Sequence, residues 1–443
     1  MELSKNKKIL WYIFLFILFV FWGLIFQNLN WDETWNYGFA HSIYKGLIPY
    51  KDFNMVITPF FPFLMSLPFN IFGSSIIVFY LENGFILLGL YYLLEKLIKD
   101  KALICITIIF YIYHLIIPSY NMFLLFLYVL LVFLEKRNSN DYLIGLIIGI
   151  SILTKQTVGL FMILPSIMYL KKDYKKIIKR LFGLLIPIII FIVYLLFSNS
   201  LSEFINLCFL GLLDFYNDNN AGFSVFFIVF IAFISIIIYF IKKDKTNISN
   251  YYTLAFMSIM IPLFDLYHTF IAFIGILLMI FLNKEFKVKY NLYIFFVLLM
   301  LGLSITSIIR IDFNFKYPNN INRFEYKAID KDMQTHTKAV LKYLDSCDKA
   351  NQKVMIISGQ SYYFKLIRDI PIDYYDLLNG GNWGYKGSEK LMKDVTSRKN
   401  TLFLIDEAEY SKYSQTDKNL MKYIMKNGKK INEVGMFSIY SLE

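Results

Sequence analysis

Cysteine is scarce: three residues, at 105, 208 and 347, occur in 443 positions. They form neither a CxxC pair nor an even set, which excludes a disulfide framework and a cysteine metal site. Charge is scarce too, at 18% of residues, against 57% hydrophobic and 19% aromatic side chains and a mean hydropathy of +0.51. That balance excludes an ordinary soluble domain and marks a membrane protein with many spans. No small-residue cleavage site follows the first apolar run, Ile9 to Phe26, so this run, preceded by Lys5, Lys7 and Lys8, reads as a retained helix rather than a signal peptide. The net charge of +12 does not call for nucleic acid, because many of the basic residues sit in short loops between spans, where lysine sets orientation and meets anionic headgroups.

Those basic loops, 96–101, 135–137, 171–180, 242–245 and 284–289, belong on the cytoplasmic side. An even number of crossings between consecutive loops is obtained with spans at 9–27, 76–95, 102–117, 119–134, 141–154, 156–170, 181–198, 223–241, 251–266, 267–283 and 290–309. The fold expected is an α-helical polytopic membrane protein of about 11 transmembrane helices, the region 1–310, with the chain after residue 310 outside. Residues 56–73 carry Pro59, Pro62 and Pro68, so they read as a helix lying in the outer interface, within a first external loop of 28–75.

On this topology the ionisable groups gather on the outer side. Asp32, Glu33, His41, Lys45 and Asp52 lie in the first loop, Lys155 and Gln156 at one helical tip, Asp265 and His268 at another, and Arg310 opens the last segment. Ionisable groups at membrane depth are costly and tend to be functional. Lys155 interrupts the apolar sequence SILTKQTVGL. The plain alternative is a lysine snorkelling to headgroups, but opposite outward carboxylates it suits the holding of an anion, with Gln156 and Thr157 as neutral donors beside it. Asp265 and His268, spaced i and i+3 in PLFDLYH, share a helix face if the helix runs through them; the plain alternative is a hydrogen bond in which the aspartate sets the histidine tautomer. Tyr50 and Asp52 in GLIPYKDF sit at a turn, where the acid on its own would simply be solvated.

The sequence NWDETWNYG just after the first span, the Gly-x-x-Pro-Tyr-x-Asp-Phe segment at 46–53, the proline-rich stretch and the LTKQTVGL break together resemble the integral-membrane glycosyltransferases of the GT-C superfamily. The break is similar to the branch that includes protein O-mannosyltransferases and the lipid A aminoarabinose transferase. The resemblance covers roughly residues 1–310, and its specificity comes from the order and common sidedness of short motifs. It implies a polyprenyl-phosphate sugar donor and a catalytic aspartate in the first external loop, which by position is Asp32, with Glu33 its neighbour.

The residue types fit that chemistry. Transfer of a sugar from a lipid phosphate to a hydroxyl needs a base, for which Asp32 is the candidate. Glu33 or Asp52 can stabilise oxocarbenium character, and Tyr50, Asp52 and Asp265 are expected to contact substrate. Lys155, Gln156, His268 and Arg310 are expected at the donor phosphate, so no metal is required, although a divalent cation on Asp32, Glu33 or Asp52 is chemically admissible. With no second nucleophile in view, a single displacement would invert the anomeric centre. The expected partners are the lipid-linked donor, a lipid, glycan or protein acceptor, and membrane lipids, at a plasma membrane with the active site extracytoplasmic. Two alternatives stand beside this: an acidic helix start at Asp32 and Glu33, and a transporter or flippase of lipid-linked sugars, which should show internal repeats that the sequence lacks.

After Ile309 hydropathy falls. Short β-forming runs at 353–359 and 401–406, with helical spacing around 328–347 and 388–397, predict an extracytoplasmic α/β domain over 311–443. Between the runs, the loop 373–387 holds Tyr374, Tyr375, Trp383 and Tyr385; sugar stacking is conceivable there, but an ordinary glycine-rich connection is the preferred reading. KVMIISGQS lacks the GxxxxGK[ST] spacing of a phosphate loop.

Overall fold

A computed structural model describes residues 5–25, 29, 31–98, 117–170, 173–212, 214, 225–261, 263–283, 321–329, 331–371, 376, 382–398, 400–408 and 418–442. The first helix, α1 (Lys5–Ile25), is followed by α2 (Trp31–Tyr44), the short α3 (Phe60–Ser66) and α4 (Phe69–Phe72), and α5 (Ile76–Leu97). Pro59 and Pro68 stand immediately before α3 and α4, where a missing N–H costs nothing, so the proline-rich stretch becomes two short helices instead of one span.

Next come α6 (Tyr120–Lys136), α7 (Asp141–Thr154), α8 (Gln156–Phe161), α9 (Leu164–Tyr169) and α10 (Tyr174–Phe197). Among the described residues, α1, α5, α10 and α12 (Val225–Lys243) are long and apolar enough to cross a membrane. Along α10, Ile178, Phe182, Ile186, Ile190 and Phe197 are exposed, an apolar face suited to lipid and not to water. Spans 102–117 and 290–309 of the sequence reading lie outside the described residues, apart from position 117.

Glycines set the closest helix crossing. A Cβ on Gly145 would stand 2.0 Å from the Arg180 carbonyl oxygen, and one on Gly183 2.1 Å from that of Tyr142, so α7 and α10 touch through their backbones. At the end of α7 the chain is extended at Lys155 (φ −154°, ψ 111°), and α8 folds back so tightly that a Cβ on Gly159 would lie 2.1 Å from the Ile152 nitrogen. The return expected as one helix over 156–170 is thus two short pieces, α8 and α9. At the other end of α7, Arg180 makes a buried bidentate pair with Glu135 and bonds Asp141 at 2.8 Å, while Tyr252 donates to Glu135 at 2.8 Å.

After α10 come α11 (Leu201–Ile205) and a π-helical turn (Asn206–Leu210), in the interval between the expected spans 181–198 and 223–241. Beyond α12, α13 (Ile248–Phe256) ends in a 3-10 turn (Met257–Met260) and α14 (Leu266–Leu282) follows. The non-helical break therefore falls between Met260 and Leu266, not at the expected boundary of 266 and 267.

The remaining elements are α15 (Lys331–Lys349), β1 (Lys353–Ile357), α16 (Ser361–Ile367), α17 (Gly387–Ser397), β2 (Thr401–Ile405), α18 (Lys418–Asn427), β3 (Lys429–Val434) and β4 (Phe437–Ser441). They form a four-stranded sheet of order β1-β2-β4-β3. β1 and β2 are parallel in register Met355↔Phe403, and β4 is antiparallel to both neighbours. One sheet face buries Met355, Ile357, Phe403 and Tyr440 under Leu391, Val395, Leu420 and Ile424. The other face, with Leu404, Phe437 and Ile439, joins the core that continues into α2 and the membrane helices. α16 lies on α2, where Gly38 leaves room for the Tyr362 ring. Asp369 then pairs with His41 (3.1 Å) and Lys45 (2.9 Å) of α2 and with Arg323 (2.6 Å).

Candidate active site

α2 opens with Asp32 and Glu33 in its first turn, where carboxylates meet the positive end of the helix dipole. Adjacent helical residues point about 100° apart, so the two acids separate. Asp32 faces accessible space. Glu33 turns inward to a fully buried pair with Lys327 at 3.2 Å.

Around Asp32 the structure assembles residues from three other places in the chain. Its charge is felt by Lys155, Asp265 and His268, and by the rings of Tyr120 and Tyr267. The Asp32 carboxyl is held above its ordinary pKa: surrounding protein displaces water from it although the residue as a whole is exposed, His268 and Lys155 oppose this, and Asp265 reinforces it.

Lys155 is buried at the α7–α8 break, its Nζ donating to Asn121 Oδ1 at 3.3 Å and lying 5.6 Å from the Tyr120 ring centre. The Asn121 amide nitrogen in turn lies 3.4 Å from His268 Nε2. Both oxygens of Asp265 are 2.9 Å from His268 Nδ1. An ionised carboxylate only accepts, so Nδ1 carries the proton and, in the neutral ring, Nε2 accepts from Asn121. Asp265 also takes the His268 backbone N–H at 2.8 Å, so it caps α14 and does not lie within a helix running through both residues.

A recess opens here between Val56, Ile57, Tyr120, Lys155, Thr157 and His268. Gln156 also lines it, its amide nitrogen donating to the carbonyls of Val56 (2.9 Å) and Cys208 (3.0 Å). Gln156 Oε1 and Thr157 Oγ1 are buried without a protein partner. A cation, neutral polar atoms and apolar walls together suit an anionic headgroup with a lipid tail.

The structure therefore brings Asp32, Lys155, Gln156, Asp265 and His268 together, and gives other settings to the rest. Glu33, expected to be catalytic, is spent on Lys327. Tyr50, expected at the substrate, is fully buried in a left-handed conformation (φ 70°), donates to the Ile57 carbonyl at 2.8 Å and packs edge-on against Phe204. Asp52 closes the same turn by accepting the Ile48 N–H at 2.7 Å. Arg310 lies outside the described residues, as do Tyr374 and Tyr375. Trp383 is buried and so is no open stacking platform, whereas Tyr385 is exposed. Among the described residues no group of three His, Cys, Asp or Glu side chains is placed to hold a metal ion.

Sequence reasoning passed over Tyr120, Asn121, Tyr267 and Lys327. A polar SYN at the start of an apolar run was the available signal for Asn121; Lys327 had none, since only long-range folding gives it a partner.

Residues 56–245 match the profile of Glycosyltransferase family 87. No curated protein sequence matches the chain. The fold is similar to that of ArnT from Cupriavidus metallidurans bound to undecaprenyl phosphate, with a TM-score of 0.56 and 11% identity over 99% of this chain and 98% of that one. The apo form of the same enzyme gives a TM-score of 0.53, also at 11% identity, over 98% of each chain. The chain thus joins a match to glycosyltransferase family 87 over residues 56–245 with a fold similar to that of ArnT.

Proposed function

We propose that the protein transfers a sugar from a polyprenyl-phosphate donor to an extracytoplasmic acceptor, with Asp32 as the base. The observation that carries this reading is the convergence of Asp32 with Lys155 and the Asp265–His268 pair beside a recess whose walls hold unpartnered polar atoms. The bound undecaprenyl phosphate in ArnT supports the same donor class.

The donor phosphate sits at Lys155, with Gln156, Thr157 and His268 around it, and its lipid runs along the apolar wall. The acceptor hydroxyl attacks the anomeric carbon while the Asp32 carboxylate takes its proton. The bond from the anomeric carbon to the phosphate oxygen breaks, and the polyprenyl phosphate leaves with the electron pair. Lys155 meets the charge that this oxygen gains, so a divalent ion is not required. One displacement inverts the anomeric centre. About eleven spans, with site and sheet outside, complete the reading, because a site away from cytoplasmic nucleotide sugars needs a lipid-carried donor.

The test is transfer of labelled sugar from undecaprenyl-phosphate donors by the purified protein in liposomes, wild type against Asp32→Asn. Loss of turnover by about 10³-fold with donor binding retained is expected. Movement of donor across the bilayer without cleavage, unaffected by Asp32→Asn, would establish transport instead.

A further inference from the structure

Lys327 lies in the irregular segment 321–329, remote in sequence from Asp32, and its side chain is fully buried. Its ammonium is 3.2 Å from the Glu33 carboxylate, donates to the Gly23 carbonyl at 2.7 Å and to the Tyr80 hydroxyl at 2.8 Å, and lies 4.8 Å from the Tyr80 ring centre. Gly23 belongs to the last turn of α1, whose carbonyls lack partners within the helix. The next residue serves the same turn: Ala328 N–H donates to the Leu24 carbonyl at 2.7 Å, and the Ala328 carbonyl accepts from Leu29 N–H at 2.9 Å. Lys327 and Ala328 thus cap α1 with a cation and a backbone donor, both suited to the negative end of the helix dipole.

The same cation reaches the first turn of α2 through Glu33. Because Asp32 and Glu33 diverge around that turn, holding Glu33 inward fixes the direction in which Asp32 points. We propose that Lys327 is a positioning residue for Asp32: by clamping Glu33 and the end of α1 together, it aims the Asp32 carboxylate at Lys155 and His268. This rests on the proposed role of Asp32 as base. A buried ion pair is weak support for stability, since an apolar pair of similar size often serves as well. Its particular effect here is geometric, joining α1, α2, α5 and the 321–329 segment at one atom.

The test compares wild type, Asp32→Asn, Tyr80→Phe and the double variant Glu33→Gln/Lys327→Met, all in liposomes with a labelled undecaprenyl-phosphate hexose that the wild type turns over. The double variant leaves no lone buried charge, so its melting temperature should stay near wild type. Its kcat should fall about tenfold with KM nearly unchanged, and the acid limb of its pH profile should move, because a misaimed Asp32 feels Lys155 and His268 differently. Tyr80→Phe keeps the ring and removes one hydrogen bond, so a two- to threefold fall in kcat is expected. If Asp32→Asn retains turnover, the base assignment fails and takes the positioning role with it. If Asp32→Asn is inactive while both other variants keep wild-type kcat and pH profile, the role of Lys327 alone is refuted. Should the double variant not fold, Tyr80→Phe decides by its kcat.

Discussion

Lys155→Met removes a buried cation while keeping most of its stem. In the proposed reaction the donor phosphodiester carries one negative charge and the departing polyprenyl phosphate approaches two. At about 4 Å and an effective dielectric near 20, a full unit of charge interacts with an ammonium by about 4 kcal/mol. Half a unit of extra charge at the transition state is therefore stabilised by about 2 kcal/mol relative to the bound donor, or about 30-fold in kcat. The charge already present in the donor adds a rise in KM. Lys155 is buried, and the neutral Asn121 is its hydrogen-bond partner, so the loss should change little with salt. The assay is steady-state transfer from a labelled undecaprenyl-phosphate sugar in liposomes, with kcat and KM determined separately at two ionic strengths. A variant with raised KM and unchanged kcat would show that Lys155 holds the donor without assisting departure. Unchanged kcat and KM together would return Lys155 to a structural role and refute the reasoning.

Two further predictions concern pH and stability. In the proposed reaction Asp32 must be ionised to act as base, and its pKa is raised, so kcat/KM should fall toward acid with a midpoint above that of an ordinary aspartate. Lys155 holds that pKa down, so Lys155→Met should move the limb to still higher pH in a profile of kcat/KM from pH 4 to 9. At the opposite end of α7, Arg180→Met strands the buried Glu135 side chain and the half-buried Asp141 and should cost about 3 kcal/mol, seen as a lowered melting temperature in detergent. Α7 is fourteen residues long, so this site lies about 20 Å from Lys155, and turnover per folded molecule should change little.

The class and the candidate acids and bases are legible along the chain. Apolar runs and lysine loops are local signals, and the cost of charge near lipid makes Asp32, Lys155, Asp265 and His268 stand out wherever the chain puts them. Prolines at 59 and 68 likewise announced that the 56–73 stretch is no single span. Long-range packing selects which of the neighbouring acids stays exposed within reach of the charges of Lys155 and His268. Asp32 and Glu33 are adjacent and chemically alike, and they differ because Lys327, nearly three hundred residues later, claims Glu33. Tyr50 and Asp52 gave only a weak signal on their own in the sequence, and in the structure their hydrogen bonds close a turn. Asn121 left only a faint trace in SYN, because the value of an amide that bridges a lysine to a histidine exists only when helices distant in sequence are packed side by side. Hydropathy and spacing act along the chain, whereas partner choice among buried polar groups is made in three dimensions, where each must find a hydrogen bond or a counter-charge.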